Sequence, residues 1–204
     1  MHPFDQRLLG FIVLFLLGAL VAVKRLTTGS VLERPGGSFL LRLVNSYNLF
    51  FLLIVNPAAA VLLVARRLAT IDPGHIAVDP PGLLRALEII GLLGYVPGFA
   101  LMAWALIVLS RNYQLGGCAP RPGDELVAKG PYRWIRHPMY ASALGISLGL
   151  ALLVQSWIFL CVFAVYLVLI LALIPREEKA LLQAYGESYA AYRGKTKKLV
   201  PFVY

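Results

Sequence analysis

Five stretches of this chain, Leu8–Val23, Leu43–Val64, Ile89–Leu109, Met139–Val154 and Trp157–Ile174, contain no Asp, Glu, Lys or Arg. Such a run is best solvated by hydrocarbon. There a helix satisfies its own backbone polar groups, and about 20 residues cross the bilayer. Each run is therefore read as a membrane-spanning helix. The first and fourth are slightly short and need Arg, Lys or Tyr at the interface to complete the crossing. Composition agrees: 59% of the 204 residues are apolar and 14% charged, against about 25% charged in a soluble domain. The predicted fold class is all-α, a polytopic membrane protein with about five transmembrane helices. It forms a single membrane domain over 1–204, with three spans in 1–110 and the chemistry in 111–204.

Leu8–Val23 has the length of a signal-peptide core. Asp5 stands beside Arg7 ahead of it, Lys24 and Arg25 follow directly, and no small-residue cleavage site is evident. It is expected to be a retained span. The net charge of +9 would raise nucleic acid as a partner of a soluble protein. Here basic loops facing anionic headgroups account for it, so membrane lipids are the expected partner and nucleic acid is not. With the loop after the third run and the C-terminal tail placed inside, only Arg7, Arg66, Arg67 and Arg85 of the 19 Lys and Arg fall outside. Arg34 and Arg121 are among those placed inside. The expected topology is N-terminus outside and C-terminus cytoplasmic. The Ala-, Leu- and Gly-rich composition points to a bacterial inner membrane.

Cys161 lies in the fifth run, where a small packing residue is expected, and Cys118 lies in a polar loop. No disulfide between them is expected. No Cys–His cluster has zinc spacing, so no metal site is predicted. Gly91, Gly94, Pro97 and Gly98 in the third run point to close helix packing. Arg42 and Glu88 sit at run edges, so the runs themselves are almost free of charge. The oligomeric state is not encoded legibly.

The link between the fourth and fifth runs is only Gln155-Ser156, which forces an antiparallel helical hairpin. The two helices have similar lengths, so the segment before Met139 and the segment after Ile174 end on one membrane face at similar depth. His137 and the pair Glu177-Glu178 should be neighbours, forty positions apart. Both segments carry unusual polar content. In the first, Gly130-Pro131 breaks regular structure and Pro138 suits a helix start. Amides at that start, with Arg136 and His137 beside them, suit an anionic group such as a carboxylate. The second, Arg176 to Arg193, reads as a cytoplasmic amphipathic helix. It places Glu178, Leu182, Tyr185, Tyr189 and Tyr192 on one face. A carboxylate among aromatic rings suits a cation. A ligand bearing both an amino and a carboxylate group fits between the two segments, and S-adenosylmethionine adds a sulfonium.

These residues carry a family likeness. The sequence resembles the isoprenylcysteine carboxyl methyltransferase and phospholipid methyltransferase group of membrane enzymes. That group shows Gly-Pro-Tyr-x-x-x-Arg-His-Pro-x-Tyr, here Gly130 to Tyr140. It then shows a Glu pair, Leu, an aromatic-Gly and Tyr-x-x-Tyr, here Glu177, Glu178, Leu181, Tyr185-Gly186, Tyr189 and Tyr192, closed by Pro201. The likeness covers roughly the last 80 residues. It implies a cytoplasm-facing S-adenosylmethionine site and a lipophilic acceptor arriving from the bilayer. It also implies that His137, Tyr140, Glu177 and Glu178 hold the cofactor, with Leu126, Val127, Gly130 and Tyr132 lining it. Two departures concern the acceptor. Ser142 stands where many members have Gly, and Lys195-Thr196-Lys197-Lys198 has no arginine, Arg193 being the nearest guanidinium.

Methyl transfer is an in-line displacement that requires alignment and exclusion of water. An isoprenylcysteine-like carboxylate nucleophile could be positioned by Arg193 or Arg136. A phospholipid amine would need to lose a proton, with Glu178 or a tyrosine assisting. Both remain open from the residues alone. Two other readings compete. One is a membrane reductase of the sterol reductase type using NADPH, which the ending Pro201–Tyr204 resembles slightly but which the Glu pair would disfavour by repelling phosphates. The other is a non-enzymatic transporter or scaffold, which would usually bury charge at mid-membrane.

Overall fold

The computed structural model of the chain describes residues 4–30, 38–113, 120 and 123–200. Arg34, Cys118, Arg121 and Pro201–Tyr204, which entered the sequence reading, lie outside the described residues. The architecture is all-α and polytopic. Four helical stretches, Gln6–Thr28, Phe39–Val64, Pro81–Leu109 and Trp157–Tyr185, are long and apolar enough to cross a membrane, and Pro138–Val154 is a shorter apolar helix between the last two. Large side chains such as Phe11, Phe15, Leu93, Val165 and Val168 stand exposed on their outer faces. That is a cost in water and ordinary contact in lipid.

Helix α1 (Gln6–Thr28) starts where the Asp5 side chain accepts from the Arg7 N–H and stops at Gly29, whose φ of 74° closes the last turn. The second span changes pitch midway. It consists of α2 (Phe39–Phe50), a π-helical turn over Phe51–Val55, and α3 (Asn56–Val64), without a break. Pro57 is the physical cause. It has no N–H to give to the carbonyl four residues back, and its ring would press on that carbonyl, so the preceding turn widens. The Phe51 carbonyl accepts the Asn56 backbone N–H across the wide turn and also the Asn56 side-chain amide at 2.9 Å, which reinforces the turn. The run had read as an uninterrupted span, because Asn56-Pro57 barely lowers its hydropathy.

A short helix α4 (Leu68–Ile71) leads to α5 (Pro81–Leu109), which begins eight residues before the third apolar run. Glu88 is therefore inside α5 and fully buried, its Oε2 accepting from the Phe4 N–H at 3.3 Å. The run edge was not the helix edge. Helix α6 (Pro138–Val154) packs on α5 through small residues. A Cβ at Gly91, Gly94 or Gly98 would lie 3.0–3.2 Å from a backbone oxygen of α6. These glycines serve close packing.

Gln155, at φ 48°, makes the tight turn into α7 (Trp157–Tyr185). On that face the Ile76 N–H donates to the Gln155 carbonyl at 2.7 Å and the Trp157 N–H to the Gly74 carbonyl at 2.9 Å. Arg66 pairs with Asp5 there at 3.0 Å. α7 has 29 residues, about 44 Å at 1.5 Å per residue. Its apolar part ends at Ile174, so Arg176–Tyr185 projects beyond the bilayer. This corrects the expected separate amphipathic helix over Arg176–Arg193. Pro175 does not stop α7, and the Glu, Lys, Ala, Leu and Gln that follow it favour helix. The break comes at Gly186, at φ 56°, and α8 (Glu187–Lys195) starts in a new direction. Leu182 is exposed while Tyr189 is buried, so they do not share the face predicted for them, and on α7 the face turned to a cavity is that of Glu177, Leu181 and Tyr185. Cys161 is also exposed, on the outer side of α7 rather than in packing.

Candidate functional site

The hairpin delivers both polar segments to one place. His137 Nε2 lies 3.4 Å from Glu178 Oε1, and His137 Nδ1 lies 3.7 Å from Glu177 Oε2. The Arg136 Nε donates to Glu178 Oε1 at 2.7 Å, with both side chains less than a tenth exposed. Arg136 also donates from Nη1 to the carbonyls of Arg193 and Thr196. The tail locks this arrangement from below. The Arg136 N–H donates to the Lys197 carbonyl at 2.7 Å, the His137 N–H to the Lys198 carbonyl at 3.0 Å, and the Lys197 N–H to the Trp134 carbonyl at 3.1 Å.

Glu178 is thus a buried carboxylate between two nitrogen bases. Burial pushes its pKa up, but the hydrogen bonds from His137 and Arg136 outweigh it and hold the carboxyl at about 2. The folded value lies below the ordinary 4.5, so the stabilisation is complete above pH 4.5 and is lost as pH falls towards 2. The wild-type thermal midpoint should drop across that window. Glu178→Gln should lack that component of the drop, and an identical acid profile would show that Glu178 carries none of it.

Above this ion pair lies a cavity of about 260 Å³. Its upper chamber is polar and aromatic, walled by Asp124, Glu125, Leu126, Val127, Tyr132, His137, Tyr140, Glu177, Tyr185, Tyr189 and Tyr192. The His137 and Tyr140 rings stack with centroids 5.6 Å apart. The Tyr192 hydroxyl donates to the Tyr132 carbonyl at 2.7 Å and the Tyr185 hydroxyl reaches the Asp124 carbonyl at 3.4 Å. So α7 and α8 are tied to the loop opposite. Burial and the neighbouring carboxylates raise the Tyr189 phenol, and burial pushes Tyr192 up to about 12. Both stay neutral at physiological pH. Two buried oxygens on this wall, Glu177 Oε2 and Tyr189 Oη, have no hydrogen-bond partner among the described residues, His137 Nδ1 lying 3.7 Å from the first. Buried polar atoms are rarely left unpaired without a functional reason.

Three residues singled out from sequence are not on the cavity wall. Gly130 has φ 59° and sits against α5, where a Cβ would come within 2.6 Å of Val108 Cγ2. It lets the Gly130–Arg133 turn lie on that helix. Glu178 is behind the wall and acts on it through Arg136 and His137. The Arg193 side chain is exposed, and only its carbonyl joins the cluster. Conversely, the cavity has a second, apolar arm that the sequence reading did not assign. It runs down between α1, α2, α5 and α6, lined by Leu20, Val21, Leu49, Leu52, Met102, Leu106 and Ile146, with Asn45, Asn48 and Ser147 among them. The available signal was three asparagines, Asn45, Asn48 and Asn56, in a span that lipid would otherwise keep apolar.

The sequence model of the phospholipid methyltransferase family matches residues 87–188. The chain belongs to that family. The match covers α5, α6 and α7, the helices that build the crossing, the hairpin and the ion-pair cluster. An uncharacterised protein of Bacillus subtilis, YpbQ, is 41% identical over 65 residues, covering 32% of this chain and 39% of that protein. Protein-S-isoprenylcysteine O-methyltransferase B of Arabidopsis thaliana is 32% identical over 115 residues, covering 55% of this chain and 58% of that protein. The chain therefore spans between two and three fifths of these relatives' lengths. Among solved structures, a eukaryotic intramembrane Ras methyltransferase, isoprenylcysteine carboxyl methyltransferase, matches with a TM-score of 0.52 at 18% identity. That match covers 95% of this chain and 85% of that one. At that identity the likeness concerns the fold.

Proposed function

We propose that the chain is an S-adenosylmethionine-dependent methyltransferase acting on a lipophilic acceptor at the cytoplasmic face of the membrane. The observation that carries this reading is the continuity of one cavity. Its polar chamber is built on His137, Glu177 and five tyrosines, and it opens into an apolar arm among the spans. An enzyme joining a water-soluble methyl donor to a lipid needs both in contact.

The residues present fit the donor. Glu177 Oε2, buried and without a hydrogen-bond partner among the described residues, is suited to an ammonium. The rings of Tyr140, Tyr185, Tyr189 and Tyr192 offer faces that attract a sulfonium. Arg136 and the start of α6 lie on the same wall for a carboxylate. When bound, S-adenosylmethionine supplies an electrophilic methyl group on a positively charged sulfur. Glu178 fixes Arg136 and His137, so the wall is pre-organised. The loop carrying Leu126 and Val127 is tied to α7 through Tyr185 and forms one wall of the chamber, where it can help to exclude water. Arg136, already held by Glu178, is better placed than the exposed Arg193 to act on a ligand in the chamber.

Calorimetric titration of the detergent-purified protein with S-adenosylhomocysteine tests the reading. Micromolar affinity is expected. Glu177→Gln should weaken it by about tenfold or more, as expected for loss of a charge-assisted bond. No binding to the folded protein would overturn the reading. Saturable binding of NADPH instead would favour the reductase.

A further inference from the structure

The apolar arm has one chemically specific feature, on α2. The Asn48 Oδ1 accepts from the Tyr166 hydroxyl at 2.6 Å. Tyr166 is fully buried and stacks on Tyr47 with centroids 4.4 Å apart. A buried hydroxyl clamped by a ring stack fixes the orientation of the carboxamide it meets. With its oxygen turned to α7, the Asn48 amide nitrogen is left for the cavity that this residue lines. No protein group among the described residues takes its two hydrogens. A donor pair held open at membrane depth is costly unless something accepts from it.

The arm exists because the second span is bent. α3 packs on α1, whereas α2 packs on α7. The π-helical turn over Phe51–Val55 lies at this change of partner, and beyond it α1 and α2 face one another across the cavity. Leu20, Leu49, Leu52, Met102 and Leu106 line the same cavity as Asn48. The carboxylates lining the cavity, Asp124, Glu125 and Glu177, all belong to the polar chamber. An ammonium head in this arm would gain nothing from the Asn48 amide hydrogens. An oxygen head would meet what it needs.

We propose that the arm between α1 and α2 is the acceptor subsite, and that Asn48, oriented by Tyr166, donates to an oxygen on the head of the amphiphile it holds. Asn48 is then a specificity-determining residue that selects oxygen-bearing heads over amines. This rests on the methyltransferase reading for the word acceptor, but not for the selectivity itself.

The test uses photo-crosslinking of the full chain in lipid nanodiscs. The probes are a diazirine-bearing long-chain fatty acid and the amine of equal chain length. The acid should label the α1 and α2 walls about tenfold more than the amine, the ratio expected from one directed hydrogen bond. Asn48→Asp keeps an oxygen for the Tyr166 hydroxyl but removes the donors, and should reverse the preference. Asn48→Leu, without charge, should abolish it. Equal labelling by both probes, no labelling of these walls, or an acid preference that survives Asn48→Asp in a monodisperse protein would each overturn the proposal. Acid-selective labelling in a wild-type protein that fails to bind S-adenosylhomocysteine would overturn the methyltransferase reading and leave this one standing.

Discussion

Glu178→Ala is expected to cost about 3–5 kcal/mol of stability, the range for removing one partner of a buried ion pair. The reason is what remains behind. Arg136 is 7% exposed at its side chain and cannot lose its proton, so without Glu178 its charge is buried against neutral carbonyls. The same change should abolish S-adenosylhomocysteine binding, because His137 and Arg136 lose the group that orients them on the chamber wall. Stability and binding can be separated. Replacing both members by apolar side chains of similar size, Arg136→Met with Glu178→Leu, removes the stranded charge and should restore much of the stability. Binding should stay lost. Denaturant titration of the detergent-solubilised protein, run beside the calorimetry, gives both readouts. If Glu178→Ala unfolds at the wild-type midpoint, the cluster is not the clamp described here. If the double variant recovers binding, neither residue orients the site.

The meeting of His137 with Glu177 and Glu178 was legible because it depends on very little. A two-residue link at Gln155-Ser156 and two apolar helices of similar length leave one geometric outcome, whatever packs around them. That α5 packs closely on a neighbour was legible from Gly91, Gly94 and Gly98 at helical spacing, but not that the neighbour is α6. Features that depend on where a helix fails to end were not legible. Proline is ordinarily read as a terminus, yet α7 continues through Pro175 because the helix-favouring residues beyond it carry the turn onward. Only Gly186 stops it. The cavity face of α7 is Glu177, Leu181 and Tyr185, one position away from the predicted Glu178 and Leu182, and Tyr189 and Tyr192 come to it on a separate helix. The apolar arm was illegible in another way. Its walls are ordinary Leu, Met and Ile, and only their three-dimensional arrangement around the bend at Phe51–Val55 makes a chamber. The asparagines in that span were the one trace in the sequence. Their meaning required the Tyr166 hydroxyl, 118 positions from Asn48.

Gly149→Ala, a change of one methyl group, is expected to destabilise the fold by at least the upper end of the roughly 1–3 kcal/mol typical of overpacking. A Cβ there would lie 2.6 Å from the Tyr95 amide nitrogen, 2.7 Å from the Gly91 carbonyl oxygen and 2.8 Å from Tyr95 Cβ. Two of these are backbone atoms of α5, so no rotamer change relieves the clash and the helices must move apart. Tyr95 cannot yield easily, since its hydroxyl donates at 2.6 Å to Asn56 Oδ1, beside the bend of the second span. The strain would therefore pass from the α5–α6 crossing into the span that walls the apolar arm. A graded series fixes the cause. At Gly145 the nearest atom is 3.2 Å away, so Gly145→Ala should cost less. At Gly18 on α1 nothing lies within 4 Å. Gly18→Ala should therefore be neutral or stabilising by up to about 1 kcal/mol, the helix preference of alanine over glycine. Unfolding in mixed micelles of rising SDS fraction should rank the variants Gly18→Ala at or above wild type, then Gly145→Ala, then Gly149→Ala. A Gly149→Ala protein that unfolds with wild type would mean that α5 and α6 do not cross as closely as described. The cavity floor would then need a different cause.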